Sequence, residues 1–79
     1  MKRIDRLCLD AVERLGPDVR ASAIADYVSE RRWMLSRASI YPALYRLEDC
    51  VYIVSRWGSG RNRPRLYSVA ADLAAKEGT

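Results

Sequence analysis

Residues Leu35–Val69 read LSRASIYPALYRLEDCVYIVSRWGSGRNRPRLYSV, and this stretch decides the fold. Up to residue 49, its apolar residues recur three and four positions apart, which predicts a short amphipathic helix. After that come two runs rich in β-branched and aromatic residues, with a turn of glycine and arginine between them. Two such runs joined by a short turn predict a β-hairpin, with strands at about 51–57 and 65–70.

A helix followed directly by a basic hairpin is the layout of a winged helix, which reads DNA with the helix and grips phosphate with the hairpin. We therefore predict an α+β fold, a winged helix-turn-helix in which three helices precede a two-stranded antiparallel wing. Pro64, at the start of the second strand, favours an edge position for that strand.

The first 31 residues predict two supporting helices. Helix 1, at about 3–15, has an apolar face formed by Ile4, Leu7, Cys8, Ala11, Val12 and Leu15. Asp10 and Arg14 are spaced for an i,i+4 ion pair, and Gly16-Pro17 stops the helix. Helix 2, at about 20–30, is opened either by Asp18 or by a residue between Arg20 and Ser22. Its inward face is predicted to be Ala21, Ile24, Ala25 and Val28, and Trp33 after it is expected to pack against the core.

The recognition helix is predicted at about 37–49, and its start has two solutions. With Ser36 as N-cap, Leu35 and Ile40 form a hydrophobic staple and Pro42 bends the second turn. With Ser39 as N-cap, Pro42 falls in the first turn, where it costs little. In either case one face points to the core and the opposite face is small, polar and aromatic, which suits a major groove. The core face is Ile40, Ala43, Leu44 and Leu47, and the outward face is Ala38, Pro42, Tyr45 and Asp49.

The positive charge is concentrated in one part of the chain. The 79 residues carry a net charge of +4, but residues 31–65 hold eight arginines and only two acidic residues. The segments on either side each have a net charge of −1. A local basic face on an otherwise neutral scaffold indicates a polyanionic partner.

Composition argues against other classes of function. The chain has no histidine and two cysteines, Cys8 and Cys50, which are not spaced as metal ligands. We interpret both cysteines as small buried or half-buried thiols, with a redox switch or an intermolecular disulfide as the alternative. No catalytic constellation is recognisable, so we expect no enzyme activity, no cofactor and no metal. Without an apolar run long enough to span a bilayer, the protein is expected to be cytoplasmic, of bacterial, phage or plasmid origin, and nucleoid-associated.

Three strings resemble the PadR family of bacterial transcriptional regulators. ASIYPALYRLED (38–49) is similar to the family's recognition helix, with its Tyr-Pro-Ala-Leu core followed by Arg-Leu-Glu. RLGPDVRASAIADYV (14–28) resembles the passage from helix 1 to helix 2. SRWGSGRNRPRLYSVA (55–70) resembles the wing, with Trp57 leading in and Tyr67 in the return strand.

The sequence departs from the family pattern in two places. Val51 stands where PadR-like proteins usually have a glycine after the recognition helix, so this helix must end without the usual left-handed glycine. The sequence also ends about ten residues after the wing. We therefore expect a minimal form, a single domain over residues 1–79 whose tail at 71–79 replaces the long C-terminal dimerisation helices of the family.

The resemblance and the helix phase together give a set of candidate DNA contacts. Ser39 and Tyr45 are expected to contact base edges, Tyr41 and Arg37 phosphate, and Arg46 the groove or the backbone. Two of these have alternatives, because Tyr41 could be a residue at the rim of the core and Arg46 could pair only with Asp49. In the wing, the candidates for the minor groove and phosphates are Arg61, Asn62, Arg63 and Arg65, unless this hairpin is an ordinary solubilising loop.

Two functional hypotheses follow. The first is a sequence-specific transcriptional regulator, a repressor, which binds a pseudo-palindromic operator in double-stranded DNA as a homodimer. The second is a winged-helix protein-interaction module, an antirepressor or adaptor, whose contact surface would include Trp33, Tyr45 and Trp57.

Overall fold

The computed structural model describes residues 1–32, 36–61 and 63–70. Its helices are α1 (Arg3–Leu15), α2 (Ala21–Arg31) and α3 (Ile40–Asp49), and a 3-10 turn at Arg37–Ser39 precedes α3. Its strands are β1 (Val19–Arg20), β2 (Ile53–Trp57) and β3 (Arg65–Val69). The predictions for Trp33, for the Leu35 staple, for Asn62 and for the tail at 71–79 lie outside the described residues. The predicted winged helix-turn-helix is confirmed.

The sheet has three strands, one more than the sequence predicted. β3 lies in the middle, and it pairs antiparallel with β2 on one side and with β1 on the other. The added strand is short, with Val19 opposite Tyr67 and Arg20 opposite Leu66. The edge position predicted from Pro64 was therefore wrong. Pro64 lies just before β3 and outside its ladder, so its missing N–H removes no strand hydrogen bond. Its carbonyl accepts a hydrogen bond from the Gly58 amide at 2.7 Å.

The core lies between the three helices and one face of the sheet. The predicted inward residues of α3 are all buried, with at most 2% of each exposed. Ile24, Ala25 and Val28 of α2 are buried as predicted, and Ala21 packs against the core from its edge. Ile53 and Tyr67 supply the sheet's share of this cluster. Packing of the inner face of α3 thus determines which of its side chains point to solvent.

The buried face of α1 is rotated from the prediction. Cys8, Ala11 and Val12 are buried, but Leu15 is exposed, and Leu9 and Asp5 are buried instead. Asp5 was expected on the outer side of α1 because it is charged. In the fold its carboxylate is buried because it forms an ion pair with Arg46 of α3. The ion pair predicted between Asp10 and Arg14 was also wrong, since Asp10 pairs with Arg6 at 3.2 Å.

The two cysteines occupy different environments. Cys8 is buried, and desolvation raises the pKa of its thiol to about 11, as expected for a small core residue. Cys50 is exposed, so the expectation that it would be buried or half-buried was wrong. It caps the C-terminus of α3, where no core element covers it.

The residues before α2 form a turn rather than a side-chain cap. Arg20 is the N-cap of α2 and makes no capping hydrogen bond with its side chain. Asp18, the first candidate for this cap, instead has a left-handed backbone with φ of 61°. Its amide donates to the Ser68 hydroxyl at 2.9 Å, which ties the turn to β3. The opening of α2 between Arg20 and Ser22 was the better of the two alternatives.

The recognition helix ends in a Schellman motif. The Tyr52 amide donates to the Leu47 carbonyl at 2.9 Å, and the Val51 amide donates to the Glu48 carbonyl at 3.0 Å. Val51 takes the left-handed position of the motif, with φ of 61°. The strand predicted from residue 51 therefore starts two residues later, because Val51 and Tyr52 are used to close the helix.

Candidate nucleic-acid interface

The start of the recognition helix combines the two solutions that the sequence left open. Ser36 caps the 3-10 turn, since its hydroxyl accepts a hydrogen bond from the Ala38 amide at 3.2 Å. The α-helix proper begins at Ile40, which places Pro42 in its first turn. An amide in the first turn has no acceptor within the helix, so Pro42 removes no intrahelical hydrogen bond there.

The outward face of α3 is exposed and carries hydroxyl groups. Tyr41 is 49% exposed and Tyr45 is 64% exposed, and Ser39 in the 3-10 turn just before the helix is also exposed. About half of Tyr41 is buried, which agrees both with a contact residue and with the alternative of a residue at the rim of the core. Tyr45 is the more exposed of the two and can contact a partner that lies along the helix.

Arg37 lies at the start of this face and is held from α2. Its Nη1 donates to Asp26 Oδ1 at 2.9 Å, and both side chains are more than half exposed. An exposed ion pair of this kind contributes little to stability and exchanges readily with another anion. Arg37 is therefore available to a phosphate at the cost of a weak intramolecular contact.

Arg46 makes a contact that the sequence did not indicate. Its Nε and Nη2 donate to the two carboxylate oxygens of Asp5, at 3.0 and 2.7 Å. The expected alternative partner, Asp49, is not the one used. These hydrogen bonds from Arg46 lower the pKa of the Asp5 carboxyl, against the opposing effect of its burial. The pair joins α1 to α3, so Arg46 positions the recognition helix.

Arg65 at the base of the wing is also engaged. Its Nε donates to the Ser55 hydroxyl at 2.9 Å and its Nη2 to Glu48 Oε2 at 3.1 Å. Its guanidinium also lies 5.3 Å from the centre of the Trp57 ring. Ser55 in turn donates to Glu48 at 2.6 Å. This network connects α3 to both strands of the wing and fixes the angle between them.

The tip of the wing carries the free arginines. Arg61 and Arg63 are exposed, and neither forms an ion pair with any residue that the structure describes. Arg56, further down β2, pairs with Asp18 at 2.8 Å. Since the two tip arginines have no intramolecular counter-charge, they are the wing groups most available to an external anion.

A cleft lies between the recognition helix, the wing and the start of α2. Its volume is about 380 Å³, and its lining includes Tyr41, Tyr45 and Arg65 from the predicted site. It also includes Arg20, Ser22 and Tyr67, which sequence analysis did not place at the site. Arg20 and Ser22 lie about twenty residues before α3 in the chain, and no sequence signal pointed to them. Tyr67 stood out only as part of the wing motif.

The described residues contain no group of three or more His, Cys, Asp or Glu side chains that could hold a metal ion. None of their helices is both long and apolar enough to cross a membrane.

Comparison with known proteins places this geometry among transcription regulators. No protein-family model and no curated protein matches the sequence. Among solved structures, the ferric uptake regulator Fur of Helicobacter pylori superposes with a TM-score of 0.77 at 21% identity. That match covers 90% of this chain but 46% of Fur, so the chain spans about half of that protein's length. At this identity the match shows the fold alone.

Two PadR structures also match. A PadR-like regulator from Bacillus cereus has a TM-score of 0.63 at 13% identity, covering 92% of this chain and 74% of its own. A PadR family transcription regulator from hypervirulent Clostridium difficile R20291 has a TM-score of 0.74 at 25% identity. This match covers 98% of the present chain and 84% of the regulator. The resemblance seen in the three sequence strings is therefore confirmed in three dimensions, where the chain has PadR-family transcription regulators as structural neighbours over most of its length.

Proposed function

We propose that this chain is a sequence-specific transcriptional regulator, a repressor, that binds double-stranded DNA with its single winged-helix domain. The observation that carries the proposal is the pairing of two surfaces. The exposed hydroxyl-bearing face of α3 lies beside the wing, as their shared cleft shows, and the wing tip holds two arginines without a described counter-ion. Such a surface suits a helix in the major groove and cations on the flanking phosphates.

The residues of α3 divide by task in this proposal. Ser39 and Tyr45 contact base edges, and Tyr41 and Arg37 contact phosphate. Arg46 primarily holds the helix against α1 through Asp5, and its Nη1 forms no hydrogen bond with any described residue. That nitrogen can still donate to the DNA backbone from the edge of the groove.

The wing residues bind phosphate and the minor groove. Arg61 and Arg63 contribute the free charges, and Asn62, between them in the sequence, is a further candidate contact. Arg65 fixes the base of the wing through Glu48, and it can donate to phosphate only from Nη1. Different arginines thus bind the phosphates at the tip of the wing and hold its base rigid.

We also propose that the protein acts as a homodimer on a pseudo-palindromic operator. Two-fold symmetric regulators place their recognition helices in successive major grooves, with half-sites about one helical turn (~34 Å) apart. The protein would work in the cytoplasm of a bacterium, in association with the nucleoid, whether its gene is chromosomal or carried by a phage or plasmid.

The experiment that tests the function is selection of bound duplexes from a random-sequence pool, at about 50 mM salt and again at about 200 mM. We expect an inverted repeat to be enriched at the higher salt, because non-specific binding weakens most steeply with salt. Sedimentation of the selected duplex with the protein should give two chains per duplex. Absence of any DNA affinity at the lower salt would refute the proposal.

A second candidate is supported by exposed aromatic surface. Trp57 is 58% exposed and Tyr45 is 64% exposed, and large aromatic side chains are enriched at protein interfaces. A winged-helix antirepressor or adaptor would use these groups to bind a protein. The selection experiment separates the two functions, since the adaptor would enrich no repeat at either salt concentration.

A further inference from the structure

The cleft between α2, α3 and the wing includes residues to which the proposed DNA contacts assign no role. It is concave, about 380 Å³ in volume, and lined by hydroxyl groups and two arginines. Its lining side chains include Arg20, Ser22, Tyr41, Tyr45, Arg65 and Tyr67. All of these can donate hydrogen bonds, and no carboxylate lines the cleft. Donors and positive charge without acidic groups favour an anion.

The start of α2 leaves backbone donors without a cap. The N-cap residue, Arg20, gives no side-chain hydrogen bond to the first turn, and that turn contains no acidic residue. The N-terminus of a helix has a partial positive charge, and a cation at this position adds to it. Arg20 forms no ion pair with any described residue. An anion in the cleft would compensate both charges.

Tyr67 gives an independent indication of a ligand. Only 3% of this residue is exposed, yet its hydroxyl forms no hydrogen bond with any residue in the described part of the chain. The described residues contain no fully buried side-chain polar atom without a partner, so the unbonded hydroxyl is the part of Tyr67 that opens to the cleft it lines. Burial raises the pKa of Tyr67, which keeps the hydroxyl protonated and able to donate. An otherwise buried side chain thus holds a hydroxyl donor at the surface of the cleft, where it can donate to an anion.

We propose that this cleft is the seat of one phosphate group of the DNA backbone, bound by the Tyr67 hydroxyl, Arg20 and the first turn of α2. DNA is the source of the phosphate because Tyr41 and Tyr45 of the recognition helix line the same cleft. A duplex that lies against α3 therefore brings its backbone to the cleft. The inference rests on the proposed DNA-binding function and adds Arg20, Ser22 and Tyr67 to the residues that contact DNA.

The test compares four forms of the full chain on one duplex selected from the random pool, across a salt titration. Tyr67→Phe removes only the hydroxyl and should weaken binding about tenfold, the loss of one hydrogen bond to a charged group. Arg20→Gln should weaken binding and reduce the slope of log K against log salt by about 0.9, the effect of one phosphate contact. Tyr52→Phe is the matched control, because Tyr52 lies outside the cleft, and it should bind as the wild type does.

An uncharged analogue of the phosphodiester locates the contact. A methylphosphonate is placed at each linkage of the duplex in turn. At one position it should weaken DNA binding by the wild type, and weaken binding by the Tyr67→Phe variant much less. Thermal unfolding should show Tyr67→Phe at least as stable as the wild type, because its hydroxyl has no described intramolecular partner. This keeps a loss of binding distinct from a loss of folding.

The outcomes separate the two levels of the proposal. If the wild type binds the duplex but both cleft variants bind it with wild-type affinity and slope, the phosphate seat is wrong and the regulator stands. If millimolar inorganic phosphate fills the cleft and weakens the wild type beyond chloride at equal ionic strength, but not the cleft variants, the seat belongs to a free anion. If the wild type binds no duplex, the regulator and the seat both fall.

Discussion

Val51 shows how a single residue can hold a conformation that its side chain disfavours. It closes α3 at φ of 61°, a region that suits glycine and is unfavourable for β-branched residues. The side chain is 67% exposed, so packing provides little compensation. The two backbone hydrogen bonds of the Schellman motif, together with the start of β2 at Ile53, hold the backbone there.

Replacing Val51 by glycine should therefore stabilise the protein by about 1 kcal/mol. A left-handed backbone costs an L-residue roughly 1–2 kcal/mol, and glycine removes this strain. Glycine also raises the conformational entropy of the unfolded chain, which offsets about 0.4–1 kcal/mol of the gain. Urea unfolding measures the change as a higher midpoint at an unchanged m-value. Val51→Ala is the control, since alanine retains a Cβ and should recover only part of the gain. A Val51→Gly variant that is less stable than the wild type would contradict this account of the helix end.

At the scale of secondary-structure elements, the orientation of α3 depends on ionic contacts from both sides. Asp5 on α1 holds Arg46, and Arg65 on β3 holds Glu48. Arg46 and Glu48 are two residues apart and so point to different sides of α3. The first contact fixes α3 against α1 and the second fixes it against the wing. Together they determine the direction in which the outward face of α3 points.

The contact of Asp5 with Arg46 should give stability a specific dependence on pH. The folded-state pKa of Asp5 lies below its usual value of 3.8, chiefly because Arg46 donates hydrogen bonds to the carboxylate. A lowered pKa means that the contribution is present above the unfolded value and is lost as pH falls through the folded one. In Asp5→Asn this contribution is absent at every pH. The difference in unfolding free energy between the two proteins should thus be largest near pH 7 and shrink below about pH 4.

Chemical denaturation of both proteins between pH 7 and pH 2.5 is the measurement, the range following from the usual carboxyl pKa near 4. Arg6→Ala serves as the control, because it breaks the exposed pair with Asp10. Exposed i,i+4 pairs contribute only about 0.3–0.5 kcal/mol, so this variant should lose less stability than Asp5→Asn at neutral pH. A gap between wild type and Asp5→Asn that stays constant with pH would show that the pair does not couple to folding.

For the whole molecule, the distribution of charge matters more than its sum. Four of the basic segment's eight arginines form ion pairs within the fold, namely Arg37, Arg46, Arg56 and Arg65. The charges left for a partner are those without a described counter-ion, with Arg61 and Arg63 at the tip of the wing. The sequence counts all eight arginines equally, whereas the fold separates them into structural and available groups.

Arg63→Ala should therefore weaken DNA binding by a similar factor on every sequence and make the salt dependence shallower by about 0.9 in the slope of log K against log salt. Fluorescence anisotropy with one selected and one unrelated duplex measures both effects. Arg14→Ala makes the same change of charge on the exposed side of α1, outside the basic segment, and should leave the slope close to that of the wild type. An unaltered slope in Arg63→Ala would remove the wing tip from the interface.

Local sequence determined the three helices, the two strands of the wing and the inner face of α3. The spacing of Ile40, Ala43, Leu44 and Leu47 is sufficient to predict a helix with one buried side, because hydrophobic periodicity acts within a few turns of the chain. The wing was predictable for a similar reason, since glycine and arginine separate two runs of strand-forming residues. The exposure of Tyr41 and Tyr45 follows from the same helical phase.

The tertiary structure decided what depends on residues far apart in the chain. The bond between Asp5 and Arg46 spans 41 positions, and that between the Asp18 amide and Ser68 spans 50. β1 forms only because β3 offers it an edge, and two residues are too few to show a strand pattern. The cleft brings Arg20, Tyr41 and Tyr67 together from three separate elements. Short-range periodicity carries no information about such pairings, because they depend on how the elements pack rather than on the order of residues within one of them.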